Sequence, residues 1–205
     1  FANLYLESTY GHDRLVEEEK TDRKQVLEYY LKNPSPIIDT TIVDIGKVLS
    51  TNTYQKAGWV LHMLRHEIGD LHFWSAIRQY YATYRNGNAM TEDLQRIMEG
   101  VSGKDLSPFF KQWLYRPGHP RISATWQYDS KNKSLVIDLA QTQKEVAFQF
   151  PLQIGMIDKE GKKEIQAIQV TSKSQKFTIS TALIPSNVVL DPETWLLFDG
   201  AITQK

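Results

Sequence analysis

Apolar residues along the first half of the chain recur at the spacing of an α-helix. They return every three or four residues in four segments, 60–68, 74–84, 94–101 and 106–114. The segment Asp13–Lys32 has the same spacing, and the prolines of Asn33-Pro34-Ser35-Pro36 stop it because a proline cannot continue a helix. The pattern predicts a helical array up to about Tyr115, with a long connection over residues 33–52.

The period changes at Arg116-Pro117-Gly118-His119-Pro120, where two prolines and a glycine interrupt any helix. Beyond this point apolar and polar residues alternate, which is typical of strands with one buried face. Short segments at Val188–Leu190 and Trp195–Phe198 complete about seven predicted strands. We therefore predict an α+β chain of two domains, with a helical array over residues 1–116 and a small antiparallel β-sandwich over residues 117–205.

Composition narrows the classes of function. The chain has 24 Lys and Arg against 24 Asp and Glu, so no overall positive field favours nucleic acid, and we expect no nucleic-acid partner. It has no apolar run of about eighteen residues, so we expect no membrane span in this sequence. The absence of cysteine excludes disulfides, thiolate-bound metals and thiol nucleophiles, but leaves the compartment open.

One pair of histidines has the spacing of metal ligands. His62 and His66 are four residues apart on one helical face, as two imidazoles of a zinc peptidase are. Such an enzyme has a glutamate directly after its first histidine, whereas Met63 stands there and Glu67 follows the second. We therefore expect two partly exposed histidines on an amphipathic helix, with no metal bound by them.

Tyr54 is the candidate catalytic residue. It lies where the long connection meets the helix that begins near Trp59, a place from which a side chain can project into a cleft. A phenol keeps its proton at neutral pH and can donate a hydrogen bond to a developing oxyanion. From composition alone, a tyrosine that only packs is the favoured interpretation.

Several segments together resemble the gluzincin aminopeptidases, the aminopeptidase N family. Tyr54-Gln55-Lys56 and the helix after it resemble that family's Tyr-x-Lys-Gly-Ala motif, although Ala57-Gly58 reverses its last two residues. The likeness continues in order through Gly69-Asp70, Phe73-Trp74, Tyr80-Tyr81, Asn86-Gly87-Asn88-Ala89, Thr91-Glu92-Asp93, Trp113-Leu114, Pro117-Gly118-His119-Pro120 and Leu190-Asp191-Pro192. At the other end of the chain, Phe1-Ala2 is similar to the end of an Asn-Glu-Gly-Phe-Ala motif.

The resemblance implies a zinc exopeptidase that removes N-terminal residues from peptides. In that family a His-Glu-x-x-His helix and a further glutamate hold the zinc, and all three ligands would lie before Phe1. Tyr54 matches the tyrosine whose hydroxyl stabilises the tetrahedral intermediate. The His62/His66 pair matches a helix that is not the zinc helix of the family.

We therefore expect a fragment of a zinc aminopeptidase. Zinc and peptide substrate would belong to the full-length parent, and this piece alone would bind no zinc and be inactive. The alternative is a non-catalytic, peptidase-like interaction module. A third hypothesis is a carbohydrate- or peptide-binding sandwich with a helical companion, which would have aromatic side chains on an exposed face. Trp126 and Tyr128 are in phase with apolar neighbours, so we expect them to face the core. Truncation would leave apolar surface bare, which predicts possible self-association.

Overall fold

The computed structural model describes residues 2–44, 46 and 48–205. The chain forms two compact units, one ending at Gly118 and the other beginning at His119. Phe1, part of the Phe-Ala resemblance, lies outside the described residues. In the described part of the chain, no helix combines the length and the apolar character that crossing a bilayer requires.

The first unit is helical. It contains, in chain order, α1 (Ala2–Tyr10), α2 (His12–Lys32), a π-helical turn (Asn52–Lys56), α3 (Ala57–Ile68), α4 (Asp70–Tyr84), α5 (Thr91–Ser102) and α6 (Ser107–Leu114). Glycines in the left-handed region separate several of these helices, because a residue without a Cβ adopts a positive φ at little cost. Gly69 (φ 82°) lies between α3 and α4, and Gly103 (φ 69°) ends α5.

The buried apolar side chains of this unit come from the faces that the helical spacing predicts. They are contributed by α2, α3, α4, α5 and α6, and include Leu15, Val26, Trp59, Leu64, Phe73, Met98, Phe110 and Trp113. The helix α1 differs, since none of its described residues is buried. Its Asn3, Leu4, Leu6 and Glu7 are half-buried, so α1 adds no fully buried side chain to this core.

Residues 119–205, all of which the structure describes, form seven strands in two sheets. The strands are β1 (Arg121–Asp129), β2 (Ser134–Gln141), β3 (Phe150–Ile157), β4 (Lys163–Val170), β5 (Ser174–Ser180), β6 (Asn187–Leu190) and β7 (Asp199–Gln204). One sheet has the order β5-β2-β1-β7 and the other β4-β3-β6. This confirms the α+β class. The β1–β7 pair is parallel, whereas the other pairs are antiparallel.

The strand predicted over Trp195–Phe198 is wrong, since the last strand begins at Asp199. The Asp191 carboxylate explains the difference, because it accepts hydrogen bonds from the backbone N–H groups of Trp195 (2.8 Å) and Leu196 (2.9 Å). These amides are thereby bound by a side chain instead of a neighbouring strand. The prediction for Trp126 is confirmed, since its side chain is buried, and Tyr128 is half-buried.

Candidate functional site

Tyr54 lies in the middle of the π-helical turn. The N–H of Lys56 donates to the carbonyl of Thr51 at 3.0 Å, a five-residue step that widens the helix by one residue. Asn52 and Lys56 are buried on the inner side of the turn, whereas Tyr54 is 61% exposed. Single π-helical turns of this kind are frequent at functional sites.

Side chains of the connection hold this turn in place. Asn52 Nδ2 donates to the carbonyl of Ser35 (3.1 Å) and to its hydroxyl (3.0 Å). The Thr53 hydroxyl donates to the carbonyl of Val48 at 2.6 Å and accepts from the N–H of Ser50 at 2.9 Å. The backbone that carries Tyr54 is therefore tied down on both sides while its ring stays outside.

The Tyr54 ring stands between two concavities of the helical unit. One is a cavity of about 340 Å³ lined by α1, α2, α3 and α4, and we name it the α1 cavity. Its lining is Ala2, Asn3, Leu4, Glu19, Asp22, Tyr54, Gln55, Gly58, Leu61, His62, Arg65 and Phe73. The other is a more open groove of about 710 Å³ along the connection, which shares Tyr54 and Gln55. A molecule in either concavity would contact the phenol.

A buried carboxyl group forms part of the α1 cavity. Glu19 is 4% exposed, and Asn3 Nδ2 donates to its Oε1 at 3.2 Å and to Asp22 Oδ2 at 2.9 Å. Burial penalises the charged form and raises the pKa of Glu19 from 4.5 to about 7, although the Asn3 hydrogen bond acts in the opposite direction. This carboxyl can therefore gain or lose a proton near neutral pH.

A buried amine lies two residues after the tyrosine. Lys56 is 1% exposed, and its Nζ has no hydrogen-bond partner among the residues that the structure describes. Burial alone lowers its pKa from 10.5 to about 8. A nearly dry ammonium is costly, so the turn carries a charge that its own surroundings do not compensate.

His62 and His66 differ in their burial. His62 is buried on α3, with its ring edge-on to Trp59 at a centroid distance of 5.4 Å, and His66 is half-buried. The expectation that both would be partly exposed is wrong for His62, because α3 turns that residue toward the interior of the unit. No group of three or more His, Asp or Glu side chains able to hold a metal occurs among the described residues.

Sequence reasoning missed Asn3, Glu19 and Arg65. Glu19 ends the run Glu17-Glu18-Glu19, a pattern that is typical of a solvated helix face, whereas the structure buries it and pairs it with Asn3 of α1. A helical wheel of α2 would have found one signal, because Glu19 falls four residues after Leu15 on the buried face.

Comparison with known proteins supports the resemblance stated above. The model of the Peptidase family M1 domain matches residues 4–113, more than half of the chain. Aminopeptidase N of Lactococcus lactis subsp. lactis is 31% identical over 114 residues, which are 56% of this chain and 13% of that protein. Tricorn protease-interacting factor F2 of Thermoplasma acidophilum is 34% identical over 95 residues, 45% of this chain and 12% of that protein.

A solved structure has the same fold. Aminopeptidase A of Legionella pneumophila, in complex with aspartic acid, superimposes with a TM-score of 0.77 and 17% identity over 97% of this chain and 22% of its own. These matches place the chain among the metallopeptidases. The chain belongs to peptidase family M1. It spans between 12% and 22% of the length of these relatives.

Proposed function

We propose that this chain forms one wall of the active site of a zinc aminopeptidase, which hydrolyses N-terminal residues from peptides. In this proposal Tyr54 is the catalytic residue that the chain itself supplies. Its phenol donates a hydrogen bond to the oxyanion of the tetrahedral intermediate, a charge that exists only after attack on the scissile carbonyl.

The exposure of Tyr54 beside the α1 cavity is the observation that supports this role. Tyr54 is 61% exposed on a hydrogen-bonded π-helical turn, and unlike the similarly exposed Tyr81 it lines the cavity. The first described residues of α1, Ala2, Asn3 and Leu4, line the same cavity. The resemblance puts a zinc-binding glutamate just before these residues, so the phenol and the metal would face the same space.

The described residues do not fit a zinc site by themselves, since they bring no three candidate ligands together. We propose that the metal ligands of the enzyme lie outside these residues, and that the 205-residue chain alone binds no zinc tightly and does not hydrolyse peptides. A stoichiometric submicromolar zinc site in calorimetric titration, abolished by His62→Ala, would contradict this part of the proposal.

The test of the catalytic role is Tyr54→Phe in the full-length protein. Loss of one oxyanion donor should lower kcat by about 10²–10³-fold with little change in KM, because the hydrogen bond forms only with the intermediate. Tyr81→Phe is the matched control, since Tyr81 is similarly exposed but lies on α4 and lines neither concavity. A kcat that stays within twofold of the wild type would refute the role.

The apolar surface of the helical unit supports a second proposal, that the isolated chain self-associates. Leu71 on α4 is 87% exposed, and Tyr5 and Tyr10 of α1 are also exposed. Light scattering that shows a clean monomer would overturn this proposal. If the full-length protein lacks a His-Glu-x-x-His segment, the non-catalytic interaction module becomes the better reading.

A further inference from the structure

Polar contacts hold α1 to the rest of the helical unit. None of its described residues is buried. Asn3 and Glu7 are four residues apart and therefore share one face of the helix. Asn3 donates to Glu19 and Asp22 of α2, and Glu7 accepts from Arg65 of α3. These three hydrogen bonds tie α1 to α2 and α3.

The contact between Glu7 and Arg65 is more rigid than the contacts that Asn3 makes with α2. Its Nε and Nη2 donate to the two carboxylate oxygens of Asp70 at 2.8 and 2.7 Å, a bidentate pair that fixes the plane of the guanidinium. Its Nη1 then donates to Glu7 Oε2 at 2.5 Å. The Trp74 ring lies 5.9 Å from Arg65 Cζ, which further limits the movement of the side chain.

Because Arg65 is buried, this position requires an arginine. Arg65 is 7% exposed, so its charge is largely removed from water and depends on the two carboxylates. Both carboxylates raise the pKa of Arg65 above its ordinary value, and the Asp70 hydrogen bond is the largest cause. A lysine could not replace it, because an ammonium cannot hold Asp70 through a planar fork while it reaches Glu7.

Arg65 also lies on the segment that carries the tyrosine. It follows Tyr54 by three helical turns along the π-helical turn and α3, and it lines the α1 cavity together with Tyr54. Ala2, Asn3 and Leu4 of α1 line the same cavity. The ion pair between Glu7 and Arg65 therefore joins the helix on one side of the cavity to the helix that follows the phenol.

We propose that Arg65 is a positioning residue, which through Glu7 fixes α1 relative to Tyr54. This inference rests on the proposed function, because its consequence for activity requires that Tyr54 act on a reaction in the α1 cavity. A loosened α1 would leave the phenol in place and would shift the first residues of that helix. The geometry of the intermediate against the hydroxyl would then be poorer, with little change in substrate binding.

Hydrogen exchange of the 205-residue chain tests the contact without any catalysis. Glu7→Gln and Arg65→Met should each speed amide exchange in α1 by about tenfold while α5 amides stay unchanged. Glu17→Gln is the matched control, because Glu17 is an exposed α2 residue paired with Arg14 on the surface. Unchanged α1 exchange in both test variants would overturn the proposed contact.

Kinetics of the full-length protein test the positioning role. Glu7→Gln should lower kcat by about tenfold with KM within twofold, and it should add little in a Tyr54→Phe background, because both changes act on one interaction. Arg65→Lys keeps the charge but loses the planar fork of donors, so its kcat should lie between those of the wild type and of Arg65→Met. Equal kcat for Glu7→Gln and wild type overturns the positioning role when Tyr54→Phe lowers kcat. If Tyr54→Phe itself leaves kcat unchanged, the proposed function fails, and the exchange result still decides the contact.

Discussion

The two units differ in how their buried polar side chains are compensated. The helical unit buries four ionisable side chains around the proposed site, Glu19, Lys56, His62 and Arg65, and the Nζ of Lys56 has no hydrogen-bond partner among the described residues. In the β unit, the side chain of Gln141 binds the backbone of Phe148 from both ends, donating to its carbonyl (2.8 Å) and accepting from its N–H (2.9 Å). That buried amide is paired at both its nitrogen and its oxygen.

This difference shows which buried polar groups lower the stability of the chain. A buried, hydrogen-bonded amide costs little, whereas a buried charge costs several kcal/mol unless it is paired. Clusters of such groups with shifted pKa values are a feature of functional sites. The contrast therefore predicts that changes at the β unit only lower stability, while removal of a charge near Tyr54 can raise it.

The largest expected effect is on the β unit. Gly200 in β7 has a φ of 145°, and a Cβ added there would lie 1.9 Å from the carbonyl oxygen of Ile122 in β1. Because backbone cannot move aside as a side chain can, Gly200→Ala should separate the parallel β1–β7 pair and cost more than about 4 kcal/mol. Faster amide hydrogen exchange in β1 and β7, with unchanged exchange in α3, would show that the pair has separated.

Gly161→Ala is the control for this change. Gly161 also has a positive φ, 85°, but a Cβ there meets nothing within 4 Å. Its substitution should cost only about 1 kcal/mol, the strain of the backbone alone. If the two variants lose equal stability, the close approach of β7 to β1 is not what requires glycine at position 200.

The next largest effect is an increase in stability, and it is expected in the helical unit. Lys56→Met should raise the free energy of unfolding by about 3 kcal/mol at pH 7, since a shift of one pKa unit corresponds to about 1.36 kcal/mol. The pKa of Lys56 is about 8 in the folded chain against 10.5, so the unfolded chain binds more protons between these values. The wild type should therefore gain stability as pH rises from 8 to 10.5, and the variant should not.

Urea unfolding followed by helical circular dichroism at several pH values measures this difference. Lys24→Met is the control, because Lys24 is an exposed α2 residue and its removal should change stability little at any pH. A Lys56→Met variant less stable than the wild type at pH 7 would mean that the ammonium is compensated. The contrast between the two units would then be lost.

The sequence predicts the local features of both units and misses those that depend on distant residues. Alternation is enough to place β1 and β2, because one face of each strand is buried. It fails at Trp195–Phe198, where three consecutive side chains are buried and the Asp191 carboxylate binds the backbone. No periodicity contains that information, since it depends on how a single side chain folds back on its own segment.

The same reasoning applies to the candidate site. Tyr54 could be found because a short motif around it resembles a known family. The contacts of Asn3 with Glu19 and of Glu7 with Arg65 join residues 16 and 58 positions apart, and neither pair has any local signature. The sequence therefore predicts a candidate catalytic side chain but not the long-range contacts of the helices around it.

The smallest effects on stability are expected in α5, which lines neither concavity. Substitutions there should change the free energy of unfolding only through the conformation of the local backbone. Gly100 lies exposed within α5, and a Cβ there meets nothing within 4 Å, so Gly100→Ala should stabilise the helical unit by roughly 0.5–1 kcal/mol. Gly103 has equally open space, but its φ of 69° is left-handed, so Gly103→Ala should destabilise by roughly 1–2 kcal/mol. Urea unfolding of the two variants isolates backbone conformation, because neither methyl group makes or breaks a contact. Effects of the same sign would show that α5 is constrained by more than its own backbone, and the contrast between the region around Tyr54 and the rest of the chain would have to be redrawn.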